Sequence, residues 1–497
     1  MPEALRDRRW QLALMLVLAT AVVLRFWAIA PTPLWLDESW SRWMAGQDYG
    51  ALWRSTRGYD THPPVYYALL KGWSTLSGVS PAGLRLLSVL AGLAMLPLAW
   101  AAAGRIGSLA AARWPRLMAV ALVAVSPPLV VAARQARPYA LFALAFGIAL
   151  LAALALLEGK EGRARVRWWA GYAASLAACL WLHSLSLLFA AALGGGVFIA
   201  LGLTGRLRRE LAAFAIAHGA ALVLWLPGLL ILAEQRARWS AGAWLTFVPA
   251  DVPAGLARGL ATPGPLALIL FALAGFGAYA LARRRANRPA LVLLAMAALA
   301  PAAATILVSL VLSPVFLPRT LVPSVLPLLL LAAAGIAAAG EPGRKRAVAV
   351  LALAIPAFAS ILLVTARPEE RWNELALWLE LRVGDREEVW LLPNELALPF
   401  AYGAGGARVE VRAIPAPFPA PAWPGRRPSG TRAVPALRVE DARALVADAR
   451  VRGRTGIWVV SRFAGWFDPE QALPRALGAP ASRDVIFAPL VVDHYRL

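Results

Sequence analysis

Long runs of apolar residues restrict what this chain can fold into more than any other feature. Residues 12–24, 141–157 and 290–312 are almost wholly apolar. A helix needs about 20 mostly apolar residues to cross the hydrocarbon of a bilayer. A helix is also one of the few structures that satisfies its own backbone there. Eleven segments fit that requirement, near 10–30, 83–103, 117–133, 138–157, 168–183, 185–203, 211–232, 264–282, 290–312, 320–339 and 346–365. The chain is 60% hydrophobic and 16% charged, against about 45–50% and 25% for soluble domains. That balance excludes a disordered chain and argues against an ordinary soluble enzyme. The expectation is a mainly α polytopic membrane protein, with about eleven transmembrane helices in residues 1–365 and a C-terminal soluble α/β domain in residues 366–497.

Charge divides the chain at the same place. Residues 1–365 carry 32 basic and 12 acidic side chains, so 20 of the 22 net positive charges lie there; the tail carries 18 and 16. No soluble basic domain is left to bind nucleic acid, and none is expected as a partner. Every second connection between the apolar segments is basic. These connections hold Arg6, Arg8 and Arg9; Arg105, Arg113 and Arg116; Lys160, Arg163, Arg165 and Arg167; Arg206, Arg208 and Arg209; Arg283, Arg284, Arg285 and Arg288; and Arg344, Lys345 and Arg346. Short basic connections stay on the cytoplasmic side. The pattern therefore predicts a cytoplasmic N-terminus and, with an odd number of spans, an extracytoplasmic tail. The first apolar run reads as a retained span rather than a signal peptide, because no small-residue cleavage site follows it. The single cysteine, Cys179, offers neither a disulfide framework nor a cysteine metal site.

The tail has short β-branched runs at 388–392, 409–412, 456–461 and 485–492. Helical spacing of apolar residues appears at 369–381 and 439–451, and proline crowds 414–435 into an extended loop. No phosphate-binding glycine motif or metal cluster occurs in it, which suggests an accessory role.

The unusual chemistry lies between the first two spans, in residues 31–80. Asp37, Glu38, Asp48 and Asp60 are here, with Trp35, Trp40, Trp43, Trp53 and Trp73. The tryptophans suit a helix in the headgroup layer. Asp37 and Glu38 are adjacent where the chain leaves its apolar entry segment. Downstream, Asp60-Thr61-His62-Pro63-Pro64-Val65-Tyr66-Tyr67 presents an acid and a histidine from a backbone stiffened by proline. Taken singly, each acid also reads as a solvated loop charge or a helix cap. Together they make the loop the candidate active site.

Trp35-Leu36-Asp37-Glu38 followed by this second motif resembles the first-loop signature of the C-type (GT-C) membrane glycosyltransferases, in the branch of protein O-mannosyltransferases and aminoarabinose transferases. The resemblance extends to Arg134-Gln135-Ala136-Arg137-Pro138-Tyr139, to Trp181-Leu182-His183 and to Phe316-Leu317-Pro318-Arg319. It covers the membrane part, about residues 1–365. It implies transfer of a sugar from a polyprenyl-phosphate donor to an acceptor hydroxyl on a lipid, protein or glycan, at the outer face of the membrane; the Arg- and Ala-rich composition points to a bacterial inner membrane. By the family's motif Asp37 is the general base of a single inverting displacement; Glu38 and Asp60 are further catalytic candidates that would orient Asp37, bind sugar hydroxyls or hold a metal. His62, Arg134, Arg137, Tyr139, His183 and Arg319 are the candidate substrate-binding residues. The arginines suit the lipid phosphate because a guanidinium donates two parallel hydrogen bonds to it; each also suits simple snorkelling at a span end. Arg25, inside the first span, is a functional candidate by its position alone.

Asp37, Glu38, Asp60, His62 and His183 have the chemistry of divalent-metal ligands, yet they suit a hydrogen-bonded network equally, and no obligatory cofactor is expected. Three rival readings remain, one of them within catalysis: transfer of a preassembled oligosaccharide rather than one sugar. A transporter or flippase would place its acids at the bilayer midplane, whereas these crowd one loop. A non-catalytic scaffold would make Asp37 and Asp60 dispensable.

Overall fold

The computed structural model describes residues 3–159, 161–239, 246–420 and 434–497. Lys160 and most of the expected proline-rich loop, 421–433, lie outside the described residues. The protein is a mainly α membrane protein with a small C-terminal α/β sheet. Its chain forms two compact units: Met1–Ile29, Arg85–Leu229 and Phe247–Ala366 make one, and Ala30–Leu84, Leu230–Thr246 and Arg367–Leu497 the other.

Each of the eleven apolar segments falls on helical residues, and these helices differ in length and apolarity. Among the described residues, eight are long and apolar enough to cross a membrane, and a bent pair makes a ninth. The two shortfalls have simple causes. The helix Gly162–Leu182 is diluted at its start by Arg163, Arg165 and Arg167, and Ala267–Ala282 has only 16 residues. Helices differ in how much of themselves they hide. In their most apolar 18 residues, Pro318–Ala338 is 89% buried and Tyr139–Leu156 78%, whereas Asp7–Phe26 and Pro342–Thr365 are 17% buried. The last two leave Leu12, Leu16, Phe358 and Leu362 exposed. In water such surface would be a liability; against acyl chains it is the expected finish.

Helix association in lipid relies on close packing rather than on apolar burial. Ala267–Ala282 and Val325–Ala338 meet at Gly277 and Gly335. A Cβ on Gly277 would fall 1.9 Å from the Leu331 carbonyl oxygen, and one on Gly335 2.1 Å from that of Leu273.

The bent pair is Arg113–Val125 and Pro127–Ala133, which meet at 57°. In a continuous helix the carbonyls of Val123 and Ala124 would accept from the amides of residues 127 and 128. Both of those residues are proline and have no amide hydrogen. Arg25 takes their place: Nη2 donates to Val123 O at 3.1 Å and Nη1 to Ala124 O at 3.0 Å. The next carbonyl, Val125 O, accepts from Ser360 Oγ at 2.8 Å. Arg25 is fully buried. It fits because residue 92 is glycine, where a Cβ would come 3.2 Å from Arg25 Nε and 2.5 Å from Ala133 Cβ.

In the second unit a five-stranded sheet has the order β2-β1-β3-β5-β4. Its strands are β1 Glu387–Leu392, β2 Val411–Ala413, β3 Gly456–Ser461, β4 Ser482–Asp484 and β5 Val491–Arg496. β1 runs parallel to β2 and β3, while β5 runs antiparallel to β3 and β4. Alternate residues feed opposite faces. Val389, Leu391, Trp458 and Val460 join a core that includes Leu36 and Trp372. Trp390, Leu392, Ile457 and Val459 join the other, which Trp40 and Phe418 cover. The helices Trp372–Glu380 and Val439–Val451 lie where the apolar spacing puts them. Of the single strand expected at 485–492, residues 485–490 are instead the turn between β4 and β5, and Val491 and Val492 begin β5; Pro489 falls inside that run and cannot donate to a ladder.

Replacing Arg25 with Met leaves the carbonyls of Val123 and Ala124 without their donors. At about 1–3 kcal/mol for each buried group, the protein should lose about 2 kcal/mol or more of unfolding free energy in detergent or bicelles. Unfolding at the wild-type denaturant midpoint would show that other groups serve these carbonyls.

Candidate functional site

Residues 30–84 are mostly helical. Leu36–Gly46 carries Asp37 and Glu38 in its first turn, Tyr49–Tyr59 follows, and Val65–Ser77 starts after Pro63-Pro64. Acids in a first turn favour helix formation because they meet the positive end of the helix dipole. Glu38 is fully buried and Asp37 half-buried.

Trp40, one turn beyond Asp37, joins the two motifs of the loop. Its indole Nε1 donates to Asp60 Oδ2 at 3.1 Å. Asp60, 6% exposed, accepts at Oδ1 from the amides of Thr61 at 2.6 Å and His62 at 3.1 Å. The His62 ring lies 3.4 Å from the same oxygen through Nδ1. An aspartate that accepts from the amides after it fixes a tight turn, so Asp60 sets the direction in which the chain enters Val65–Ser77. Gln235 Nε2 reaches the carbonyls of Thr56 at 3.1 Å and His62 at 3.4 Å. Trp40 and Trp43 also pack on Phe418, at 5.5 and 5.0 Å between centroids. They serve packing and a hydrogen bond as well as any headgroup layer. Among the described residues, no three His, Cys, Asp or Glu side chains group so as to hold a metal ion.

Sequence reading missed the acids of the tail that stand near Asp37. Glu370, Glu395 and Arg462 interact electrostatically with one another, and both glutamates feel the charge of Asp37. Burial pushes Glu395 up to about 7, Asp37 and Glu370 add to the rise, and Arg462 opposes it. Burial also raises Glu370, against the pull of Arg462 and the hydrogen bonds from Trp372 and Leu36. The contrast is Glu388 on β1. Burial alone would raise it too, but bonds from Arg452 and Trp390 hold it below the usual range.

The other candidates lie in the first unit. Tyr139, 2% exposed, is the first residue of the helix Tyr139–Leu156. The Arg319 guanidinium stands over its ring at 5.9 Å from the centroid. The His183 ring is 5.8 Å from Tyr139 and stacks on Phe142 at 5.6 Å, while its Nδ1 accepts from the Leu185 amide at 3.1 Å. Arg137 is 4% exposed and its carbonyl accepts from Ser88 Oγ at 3.4 Å. Tyr139, His183 and Arg319 are thus brought together, with Arg137 two residues before the tyrosine. Arg134 does something else: it donates to the carbonyls of Leu24 and Trp27, at the C-terminal end of the helix Glu3–Phe26, where cations are favoured. Arg85, which carried no sequence signal, donates to Ile29 O at 2.8 Å.

The fold is similar to that of two solved membrane proteins, at low sequence identity. The aminoarabinose transferase ArnT from Cupriavidus metallidurans, bound to undecaprenyl phosphate, superimposes with a TM-score of 0.62 at 15% identity, covering 97% of each chain. Its apo form gives 0.59 with the same identity and coverage. The archaeal oligosaccharyltransferase AglB from Archaeoglobus fulgidus, in complex with an inhibitory peptide and a dolichol-phosphate, gives 0.58 at 12% identity, covering 96% of this chain and 73% of its own. No family model and no curated protein matches the sequence.

Glu395 generates a pH prediction. Its folded-state value near 7 lies above the reference 4.5, so the folded state binds this proton more tightly than the unfolded one. Its contribution to stability is therefore full below 4.5 and is lost as pH rises towards 7. Glu395→Gln should remove this contribution and flatten the fall in melting temperature between pH 5 and 8. An unchanged slope would mean that Glu395 is charged across the whole range.

Proposed function

We propose that the protein is a glycosyltransferase that moves a sugar from a polyprenyl phosphate to an acceptor hydroxyl on the outer face of the membrane. The observation that carries this reading is the match along nearly the whole chain to ArnT bound to undecaprenyl phosphate, joined to an acidic first turn in the first loop. Residues 1–365 are the catalytic membrane domain, with 366–497 as an extracytoplasmic domain. The N-terminus is cytoplasmic, as the basic connections require, and the membrane is a bacterial inner membrane.

The acceptor oxygen attacks the anomeric carbon as its proton passes to the Asp37 carboxylate, a step within the reach of general-base catalysis. The bond from the anomeric carbon to the phosphate oxygen breaks, and its electron pair leaves with the polyprenyl phosphate. A single displacement inverts the anomeric centre. Asp37 then returns its proton to water. Glu38 and Asp60 maintain the loop geometry around Asp37, Asp60 through Trp40 and the turn to His62. Arg137 and Arg319 stabilise the charge that grows on the leaving phosphate, with Tyr139 and His183 shaping their surroundings. The bonds of Arg134 to Leu24 and Trp27 favour a capping role for it over phosphate binding. Hexose, pentose and amino sugars are all compatible donors.

Radiolabelled polyprenyl-phosphate sugars in proteoliposomes test the reading. Wild-type protein should transfer or release label, and Asp37→Asn should be slower by at least about 10²-fold. Activity in neither protein, across a broad panel with folding confirmed, would favour a transporter or scaffold. Arg319→Gln should weaken donor binding and slow turnover; donor affinity equal to wild type would return this arginine to an interfacial role.

A further inference from the structure

The helix that carries Asp37 has an N-terminus with a gap in its own chemistry. The first four amides of any helix lack intrahelical acceptors, and the usual remedy is a Ser, Thr, Asp or Asn at the preceding position. Here that position is Trp35, whose side chain supplies no such bond. The acceptor comes from 334 residues away: the Leu36 amide donates to Glu370 Oε2 at 2.8 Å.

Glu370 is itself fixed in place. It is 2% exposed. The same Oε2 accepts from Trp372 Nε1 at 2.8 Å, and Oε1 pairs with the Arg462 guanidinium. Trp372 is fully buried in the core that holds Leu36, Leu375, Leu391 and Val460. Arg462 follows directly on β3, so the sheet sets its position as well. Leu36 is thus gripped twice, by its side chain in the core and by its amide on Glu370, and Asp37 is the next residue.

Resting on the reading of Asp37 as the base, we propose that Glu370, held by Trp372 and Arg462, is a positioning residue that fixes the backbone and the local charge at Asp37. The groups facing Glu370 are Arg462 from the end of β3, Trp372 from its own segment, Asp37 and the Leu36 amide from the loop helix, and Glu395 from the segment after β1. Its ion pair with Arg462 keeps a second acid close to Asp37 without full repulsion between them.

The test uses the full chain in proteoliposomes, with the undecaprenyl-phosphate sugar that wild type consumes. Glu370→Gln keeps the shape and an acceptor oxygen but removes the charge. We expect kcat to fall about tenfold or more, since even small misplacement of a reacting group costs up to about 10²-fold, with the KM for donor unchanged. Removing a negative neighbour should also move the acidic limb of the kcat profile to lower pH, which a purely structural defect would not do. Asp37→Asn/Glu370→Gln should be no slower than Asp37→Asn alone, because the two residues act through one group. Should Glu370→Gln fail to elute as folded protein, Trp372→Phe removes one of the donors to Glu370 and carries the same kcat-against-KM comparison. An inactive Asp37→Asn beside a Glu370→Gln with wild-type kcat and pH profile overturns the inference alone. Full turnover in Asp37→Asn overturns the base reading and the inference with it.

Discussion

Hydrocarbon offers a backbone no hydrogen-bonding partner, and the break between Val125 and Pro127 is where this chain meets that constraint most openly. Two consecutive prolines remove two donors from one run of carbonyls. A fully buried guanidinium from the first span restores them. The arginine that looks out of place in an apolar run is therefore part of the ladder of another helix. Gly92 on the facing helix leaves room beside it, and Ser360 completes the set from the last span. Helices from four parts of the sequence are committed to one bend.

A parallel logic operates in the second unit, under different physics. The loop helix Leu36–Gly46 contributes a leucine to one core of the sheet domain and a tryptophan to the other. Its acids are consequently set in a packed body and not on a free loop. Buried acids persist there because each has a defined environment: Glu388 is met by Arg452 and Trp390, and Glu370 by Arg462 and Trp372. Glu395 has less compensation and shifts furthest towards neutrality.

Much of this was legible in the residues, for reasons that explain the rest. Apolar runs located the helices because length and hydropathy are local properties. The helices they located differ in length and apolarity, because arginines and indoles enter one run and another has 16 residues. The prolines at 127 and 128 were visible within an apolar segment, but the 57° bend and its arginine partner are tertiary facts. In the tail, β-branched composition found β1 and β3, while the run at 485–492 looked continuous because hydropathy does not register a proline turn. The first-loop motifs drew attention to Asp37, Asp60 and His62. Nothing near them pointed to Glu370, whose meaning comes wholly from a contact between distant segments. Trp40 read as part of an interfacial belt, and its bond to Asp60 depends on a fold of the loop that spacing alone does not specify.

The cap on the loop helix also bears on how the molecule is made. The amide of Leu36 leaves the ribosome 334 residues before the carboxylate that accepts it. During synthesis the spans can enter the bilayer in order, while this helix waits without its acceptor. It gains that acceptor only when Trp372 is buried and β3 has brought Arg462 into place. A helix near the start of the chain is thus capped only once Glu370, Trp372 and Arg462 have been made.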